Sequence, residues 1–190
     1  MQLILFAIWF FLPAGLANGA PVIANKIPFI RDFKLPMDFG KSWRRRRIFG
    51  DNKTWRGLLS GVVAGILVIY LQSVFVKNFG GNFILEVHPD YYSILVGDIW
   101  RTLLLGGLLG FGALFGDAIE SSIKRQLNVT AGDPWFPFDQ IDFIIGGLMA
   151  CYPLIVFDLR GYLLITVVWF SLHIISSYLG FLSNLKERPI

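Results

Sequence analysis

The sequence predicts an all-α integral membrane protein: a compact bundle of about five transmembrane helices, N-terminus out and C-terminus in. Three observations predict it. Of 190 residues, 55% are hydrophobic and 16% charged, whereas soluble domains run to roughly 45–50% apolar and about 25% charged. Several apolar runs are long enough to cross about 30 Å of hydrocarbon. Lys and Arg also fall mostly on one side of the membrane that those runs define.

The chain reads as a single transmembrane domain over residues 1–190, with spans at about 2–18, 58–76, 101–118, 140–157 and 162–182. Cytoplasmic loops are expected over 19–57 and 119–139. The first span has its apolar core from Leu3 to Leu16. Small residues follow at Ala17-Asn18-Gly19-Ala20, as at a signal-peptide cleavage site, but the basic charge follows the apolar run instead of preceding it. That is the reverse of a secretory signal, so a retained helix is expected. The second span, Leu58 to Val76, carries Gly57, Gly61 and Gly65 on one face; the third, Thr102 to Phe115, carries Gly106 and Gly110, then Gly112 and Gly116. Such small-residue ridges let helix backbones approach closely in lipid. The fourth span, Phe143 to Phe157, contains Cys151, a lone cysteine that excludes an internal disulfide and reads as a core side chain. The fifth runs from Tyr162 to Leu182, and its mid-span His173 is expected to make an interhelical hydrogen bond. Asp98 and Arg101 are expected to pair at the outer boundary, and Trp43, Trp55 and Trp135 fit an interfacial aromatic belt.

Orientation follows from charge. Ten of the 17 Lys and Arg residues lie between Lys26 and Arg56. With the first loop inside, Lys124, Arg125, Lys186 and Arg188 join them, and the outside holds Lys77, Arg101 and Arg160. Fourteen against three sets the N-terminus outside. A basic block of this kind beside membrane helices faces anionic headgroups or phosphorylated substrates more naturally than nucleic acid.

Two polar stretches then share the cytoplasmic side: Arg44 to Gly57, and Gly116 to Asp142. If the third helix continues past Gly116, Asp117, Ser121 and Lys124 lie on one face. Asp139 and Asp142 sit three apart at the start of the fourth helix. Three converging carboxylates are a site for Mg²⁺, a hard cation often shared with substrate phosphates. Spacing alone fits other readings too. Asp139 and Asp142 suit helix caps, Asp117 with Lys124 or Arg125 suits a membrane-edge ion pair, and Arg44 to Arg47 suit a topology and headgroup anchor.

The stretch Gly116-Asp117-Ala118-Ile119-Glu120-Ser121-Ser122-Ile123-Lys124-Arg125 resembles the Gly-Asp-x-x-Glu-Ser-x-x-Lys-Arg core of the CDP-diglyceride synthases, membrane cytidylyltransferases acting on phosphatidate. Asp139-Gln140-Ile141-Asp142 stands where that family has Asp-Arg-x-Asp. Gly50-Asp51-Asn52-Lys53-Thr54-Trp55-Arg56-Gly57, the short length and the five spans are similar to the archaeal branch, the CDP-archaeol synthases. Departures from the bacterial and eukaryotic pattern fall at Thr130 and Ala131, in place of a Lys-Asp pair, and at Pro134 to Phe138, in place of a His-Gly-Gly run. They open a metal-ligand role for Asp117 or Asp133.

The resemblance implies transfer of CMP from CTP to an isoprenoid glycerol ether phosphate, giving CDP-archaeol and pyrophosphate at the cytoplasmic face of the cell membrane. It implies Mg²⁺ on Asp117, Asp139 and Asp142, with Lys124 completing the catalytic set. Lys53, Arg56, Lys124 and Arg125 would grip phosphates, and Asp51, Asn52 and Ser121 would complete the substrate site. The partners implied are CTP, the isoprenoid ether lipid phosphate and membrane lipids, with no nucleic acid. Lipid tails are expected to slide between the Gly-rich second and third helices. The competing expectations are a phosphatidate cytidylyltransferase acting on acyl lipids and a small anion-binding transporter. A CDP-alcohol phosphotransferase is disfavoured, because no Ala-Arg follows Asp117 at that family's spacing.

Overall fold

The computed structural model describes residues 1–130 and 132–183; Ala131, Lys186 and Arg188 lie outside that range. Eight helices and one hairpin follow in order: α1 (Gln2–Ala24), α2 (Pro28–Arg31), β1 (Ser42–Trp43), β2 (Arg46–Arg47), α3 (Trp55–Phe79), α4 (Asn82–Val87), α5 (Pro89–Val96), α6 (Ile99–Gln126), α7 (Phe138–Cys151) and α8 (Leu159–Leu182). Among the described residues, α1, α3, α6 and α8 are long and apolar enough to cross a membrane.

The expected fourth span is corrected. It is a 14-residue helix, about 21 Å long. Pro153 explains the stop, since it has no N–H to donate to the carbonyl four residues back and its ring crowds the preceding turn. The chain continues as a turn and an extended segment to α8, and still buries Ile155 and Phe157 in the core. The spans on either side of the site run longer than their apolar stretches. α1 continues to Ala24 and α6 to Gln126, so the two loops shrink to 25–54 and 127–137. The last turn of α6 carries Lys124 and Arg125, where cations complement the negative end of the helix dipole.

Caps fix the helix starts. The Thr54 side chain accepts from Gly57 N at 3.2 Å to begin α3, and Asp158 accepts from Gly161 N at 2.8 Å to begin α8. Asp98 is spent in the same way, accepting from Trp100 N at 3.1 Å. It forms no ion pair with Arg101 among the described residues, contrary to expectation.

α1 lies at the centre, burying Phe6, Ala7, Phe10, Phe11, Ala14 and Ala17. Its aromatic rings meet Tyr91, Phe143, Phe157 and Trp169 from α5, α7, the 152–158 segment and α8. Cys151 is buried in this core. Two polar side chains at depth are satisfied in place: Gln72 Nε2 donates to Trp9 O at 2.6 Å, and Tyr91 Oη donates to Gln72 Oε1 at 3.2 Å.

The glycine ridges decide how α6 is held. A Cβ on Gly65 would lie 2.3 Å from Gly106 O, and one on Gly110 2.4 Å from Gly61 O. On the opposite flank, a Cβ on Gly112 would lie 2.3 Å from Gly146 O, and one on Gly116 2.4 Å from Asp142 O. α6 is therefore in backbone contact with α3 on one side and α7 on the other. This overturns the expected lipid path between the second and third helices. Gly61 and Gly110 leave no gap there to be slid through.

Candidate active site

The first loop is built around one carboxylate. Asp38 has a fully buried side chain and accepts from Gly40 N, Phe49 N and Gly50 N at 3.0, 3.0 and 3.1 Å. Arg47 adds Nη2 at 2.7 Å and Nε at 3.3 Å. Burial alone would raise the Asp38 pKa, but Arg47 and the three backbone donors hold it well below the usual carboxylate range. Arg44 and Arg45 take the left-handed conformation (φ 52° and 65°) that a two-residue turn between twisted strands requires. They are exposed at the hairpin tip. The run expected to act as one anchor is thus divided, with Arg46 and Arg47 turned inward. Arg46 donates to the carbonyls of Arg125, at 3.3 Å, and of Gln126, which are among those left without partners at the end of α6. Gly50, with φ of 88°, turns the chain beside Arg125. Lys53 is thereby delivered onto Asp117, its Nζ 2.7 Å and 2.6 Å from the two carboxylate oxygens.

The contact of Gly116 with the Asp142 carbonyl brings the ends of α6 and α7 together. As a result, one carboxylate oxygen each from Asp117, Glu120 and Asp142 lies within 4.8 Å of the others, a group able to hold a metal ion. Glu120 is buried, and its Oε1 has no hydrogen-bond partner. Oxygen ligands in this number suit a hard divalent cation, and Glu120 Oε1, buried without a hydrogen bond and 3.7 Å from its ion-pair partner Lys124, is an atom such an ion would satisfy.

Beside the trio, Lys124 Nζ donates to Asp139 Oδ1 at 2.8 Å and to Asp133 O at 2.7 Å, and stands 3.7 Å from Glu120 Oε1. The second oxygen of Asp139 accepts from Trp135 N at 2.6 Å. Together these groups line a cavity of about 640 Å³ with Asn52, Ser121, Arg125, Gln140, His173 and Ser177. A smaller basic recess adjoins it, sharing Asn52 and Arg125 and adding Arg46, Arg47 and Asp51.

The structure thus brings Asn52, Lys53, Asp117, Ser121, Lys124, Arg125, Asp139 and Asp142 to one cavity. Three expectations change. Asp139 holds Lys124 and the Trp135 amide, while Glu120 takes the third place in the carboxylate trio. Arg56 does not face the cavity. It is buried and donates to Asn25 Oδ1 and to the Arg31 carbonyl, fastening the first loop to α3. Asp51 lies in the adjoining recess, paired with Arg47 at 2.5 Å. Sequence reasoning passed over Glu120, although it sits three residues after Asp117 and four before Lys124, on the same helical face. His173 lines the cavity with its ring 5.5 Å from that of Phe143.

A family model described as "CarS-like: CDP-archaeol synthase" matches residues 1–190. The chain belongs to the CDP-archaeol synthase family. It is 37% identical to the CDP-archaeol synthase of Pyrococcus furiosus over 190 residues, covering 100% of this chain and 99% of that protein. With the CDP-archaeol synthase of Thermococcus onnurineus it shares 35% over 187 residues, 98% and 96% of the two chains. A solved structure, reported as an intramembrane enzyme for archaeal membrane lipids biosynthesis, is similar with a TM-score of 0.67 and 30% identity. That match covers 91% of this chain and 93% of the other. The family's bundle, and this chain's four long apolar helices, make it a multi-pass membrane protein.

Proposed function

We propose that this member of the CDP-archaeol synthase family transfers CMP from CTP to 2,3-bis-O-geranylgeranylglyceryl phosphate, giving CDP-archaeol and pyrophosphate. The observation that carries this reading is the meeting of the Asp117, Glu120 and Asp142 carboxylates with Lys53, Lys124 and Arg125 in one cavity at the ends of membrane helices. The volume falls in the range of small-ligand sites, about 300–1,000 Å³. The Lys and Arg asymmetry of the sequence supports a cytoplasmic position for that cavity, where CTP is available. Polar groups gathered at one end, away from the midplane where transporters place theirs, disfavour the transport reading.

An oxygen of the lipid phosphate attacks the α-phosphorus of CTP. The bond from that phosphorus to the bridging oxygen breaks, and pyrophosphate leaves with the electron pair. The attacking group is already an anion, so no strong general base is needed; alignment and charge neutralisation carry the step. Lys124, positioned by Asp139 and the Asp133 carbonyl, and Arg125 hold the triphosphate, with Asn52 and Ser121 orienting it. Lys53 receives the lipid phosphate. Asp117, Glu120 and Asp142 would hold Mg²⁺, which when bound neutralises charge on the leaving pyrophosphate.

The test is turnover of purified protein in detergent with radiolabelled CTP and Mg²⁺, offered either the isoprenoid ether phosphate or phosphatidate, beside Asp142→Asn. Label entering the ether lipid, and lost with EDTA or the substitution, is the expected result. Label entering only phosphatidate would move the assignment to acyl lipids, and label in neither from folded protein would overturn the reading.

A further inference from the structure

On the side of the Lys53–Asp117 pair away from the main cavity lies a second cleft of about 220 Å³. Asn18, Pro21 and Val22 of α1, Gly57 and Leu58 of α3 and Leu114 of α6 line it, and it shares Asn52, Lys53 and Asp117 with the main cavity. The ion pair is therefore a partition between two different environments. The main cavity is lined mainly by charged groups, whereas this cleft is walled by Pro21, Val22, Met37, Leu58 and Leu114, with Asn18, Asn52 and Thr54 as uncharged polar groups, and touches charge only at the partition. Val22 is 63% exposed, and its neighbours in sequence on the two helices, Ile23 and Leu59, are 67% and 54% exposed, so exposed apolar side chains of α1 and α3 lie at or near its rim, a surface suited to lipid. Below it, α1 closes against α8: a Cβ on Gly15 would lie 2.0 Å from the Trp169 ring. At Gly57 the approach is looser, and a Cβ would meet Thr54 Oγ1 at 3.4 Å and Pro21 at 3.5 Å, ordinary contact distances.

We propose that this cleft seats the head of the acceptor lipid, with its glycerol and first tail carbons against Val22, Leu58 and Leu114 and its phosphate on Lys53 in place of Asp117. The inference rests on the function proposed above and names how the lipid half of that reaction reaches the site. Charge complementarity selects the occupant, since the apolar walls end on an ammonium group facing the reaction cavity. A phosphate with hydrocarbon on one side and water on the other matches that boundary, and a free nucleotide does not. The Asn18 amide, on the α1 wall, offers an N–H donor that an ether oxygen of the glycerol region can accept.

Two measurements test it, and a rival lipid-side groove serves as the comparison. That groove is lined by Ile145, Leu148, Met149, Tyr152 and Tyr162. In the first, an isoprenoid glycerol phosphate bearing a diazirine beside the glycerol is photolysed with the full chain in detergent, and the labelled peptides are mapped. Label at residues 18–22 and 57–58 is expected; label confined to 145–162 overturns the proposal, whether or not the protein turns over. In the second, Val22→Trp and Met149→Trp, both at exposed positions, are compared by steady-state rates. Val22→Trp is expected to raise KM for the lipid at least tenfold with KM for CTP unchanged, and Met149→Trp to alter neither. The opposite pattern, or an equal rise in both KM values for Val22→Trp, overturns it. Failure of wild-type protein to turn over any lipid would count against the proposed reaction, while the photolabelling pattern still decides the seat.

Discussion

The sharpest consequence of the structure concerns a residue with no functional group. Gly116 rests on α7 so closely that an added Cβ would stand 2.4 Å from Asp142 O and 3.0 Å from Gly146 Cα. Ordinary contact begins at 3.4 Å, and both neighbours are backbone, so no side chain can rotate away. Gly116→Ala therefore drives α6 and α7 apart by about 1 Å, at the turn that carries Asp117 and Asp142. Mg²⁺ demands oxygen ligands at about 2.0–2.1 Å in near-ideal geometry, so a 1 Å spread removes one ligand from reach. Misplacement of that size costs on the order of 10²-fold in rate. The expected outcome is a fall of about 10²-fold in kcat/KM with metal affinity weakened at least tenfold, read by initial rates over a Mg²⁺ series and by Mn²⁺ titration. Gly107→Ala, on the same helix, is the control, because its Cβ would meet Ile66 at an ordinary 3.6 Å and should leave both quantities unchanged. Folded Gly116→Ala protein with wild-type rate and metal requirement would refute the claim that backbone contact sets the carboxylate geometry.

Other expectations separate the roles assigned to neighbouring side chains. Glu120→Gln should weaken Mn²⁺ binding at least tenfold, whereas Asp139→Asn should lower the rate by releasing Lys124 while leaving Mn²⁺ affinity near wild type; the reverse order would restore Asp139 as a ligand. Arg56→Met removes the guanidinium hydrogen bonds to the Arg31 carbonyl and Asn25 Oδ1, a loss of about 1.5–3 kcal/mol for bonds to a charged group. It should lower Tm with KM for CTP unchanged, and a large rise in that KM at constant Tm would return Arg56 to the phosphates. Asp38 has a folded pKa below its unfolded one, so its stabilising effect is present above the ordinary carboxylate pKa of about 3.9 and is lost only as pH falls through the folded value. Amide-exchange protection of residues 38–50, referenced to intrinsic exchange rates, should therefore be flat between about pH 5 and 8. Asp38→Asn should abolish it throughout that window.

The sequence made the helices and much of the site legible for different reasons. The lipid-crossing segments show in hydropathy because each must cover about 30 Å of hydrocarbon, and the glycines on α3 and α6 announced close packing by their fourfold spacing. Helix ends were less legible. Hydropathy reports where water begins, not where backbone hydrogen bonding stops, so the polar last turns of α6 were assigned to a loop, while Asn18, Gly19 and Pro21 masked the continuation of α1 to Ala24. Glu120 was passed over because it was weighed as one acid in a motif, whereas its role depends on Gly116 bringing α7 alongside. Arg56 was misread for a related reason. Arg56 is three residues past Lys53, but Lys53 precedes the Thr54 cap while Arg56 stands in the first turn of α3, where it bonds to Asn25 and Arg31. Asp38 carries no motif at all; only the closed loop shows five donors converging on it.

The charges lining the cavity lead to one further step. Asp117, Glu120, Asp133, Asp139 and Asp142 face Lys53, Lys124 and Arg125, so with every group in its ordinary ionised form the walls carry an excess of two negative charges. A nucleoside triphosphate is itself an anion, and a site at the membrane edge screens repulsion less than open water does. Cations alone therefore cannot explain its capture here, although Lys124 and Arg125 are well placed to touch it. One divalent ion on the carboxylate trio brings the lining to neutrality, and only then do those two side chains offer net attraction to phosphates. CTP binding should accordingly be weak with EDTA present and strong with a divalent cation, even in protein that has no lipid to react with. On the proposed reaction, the metal would be a condition of nucleotide capture before it is a participant in the chemistry.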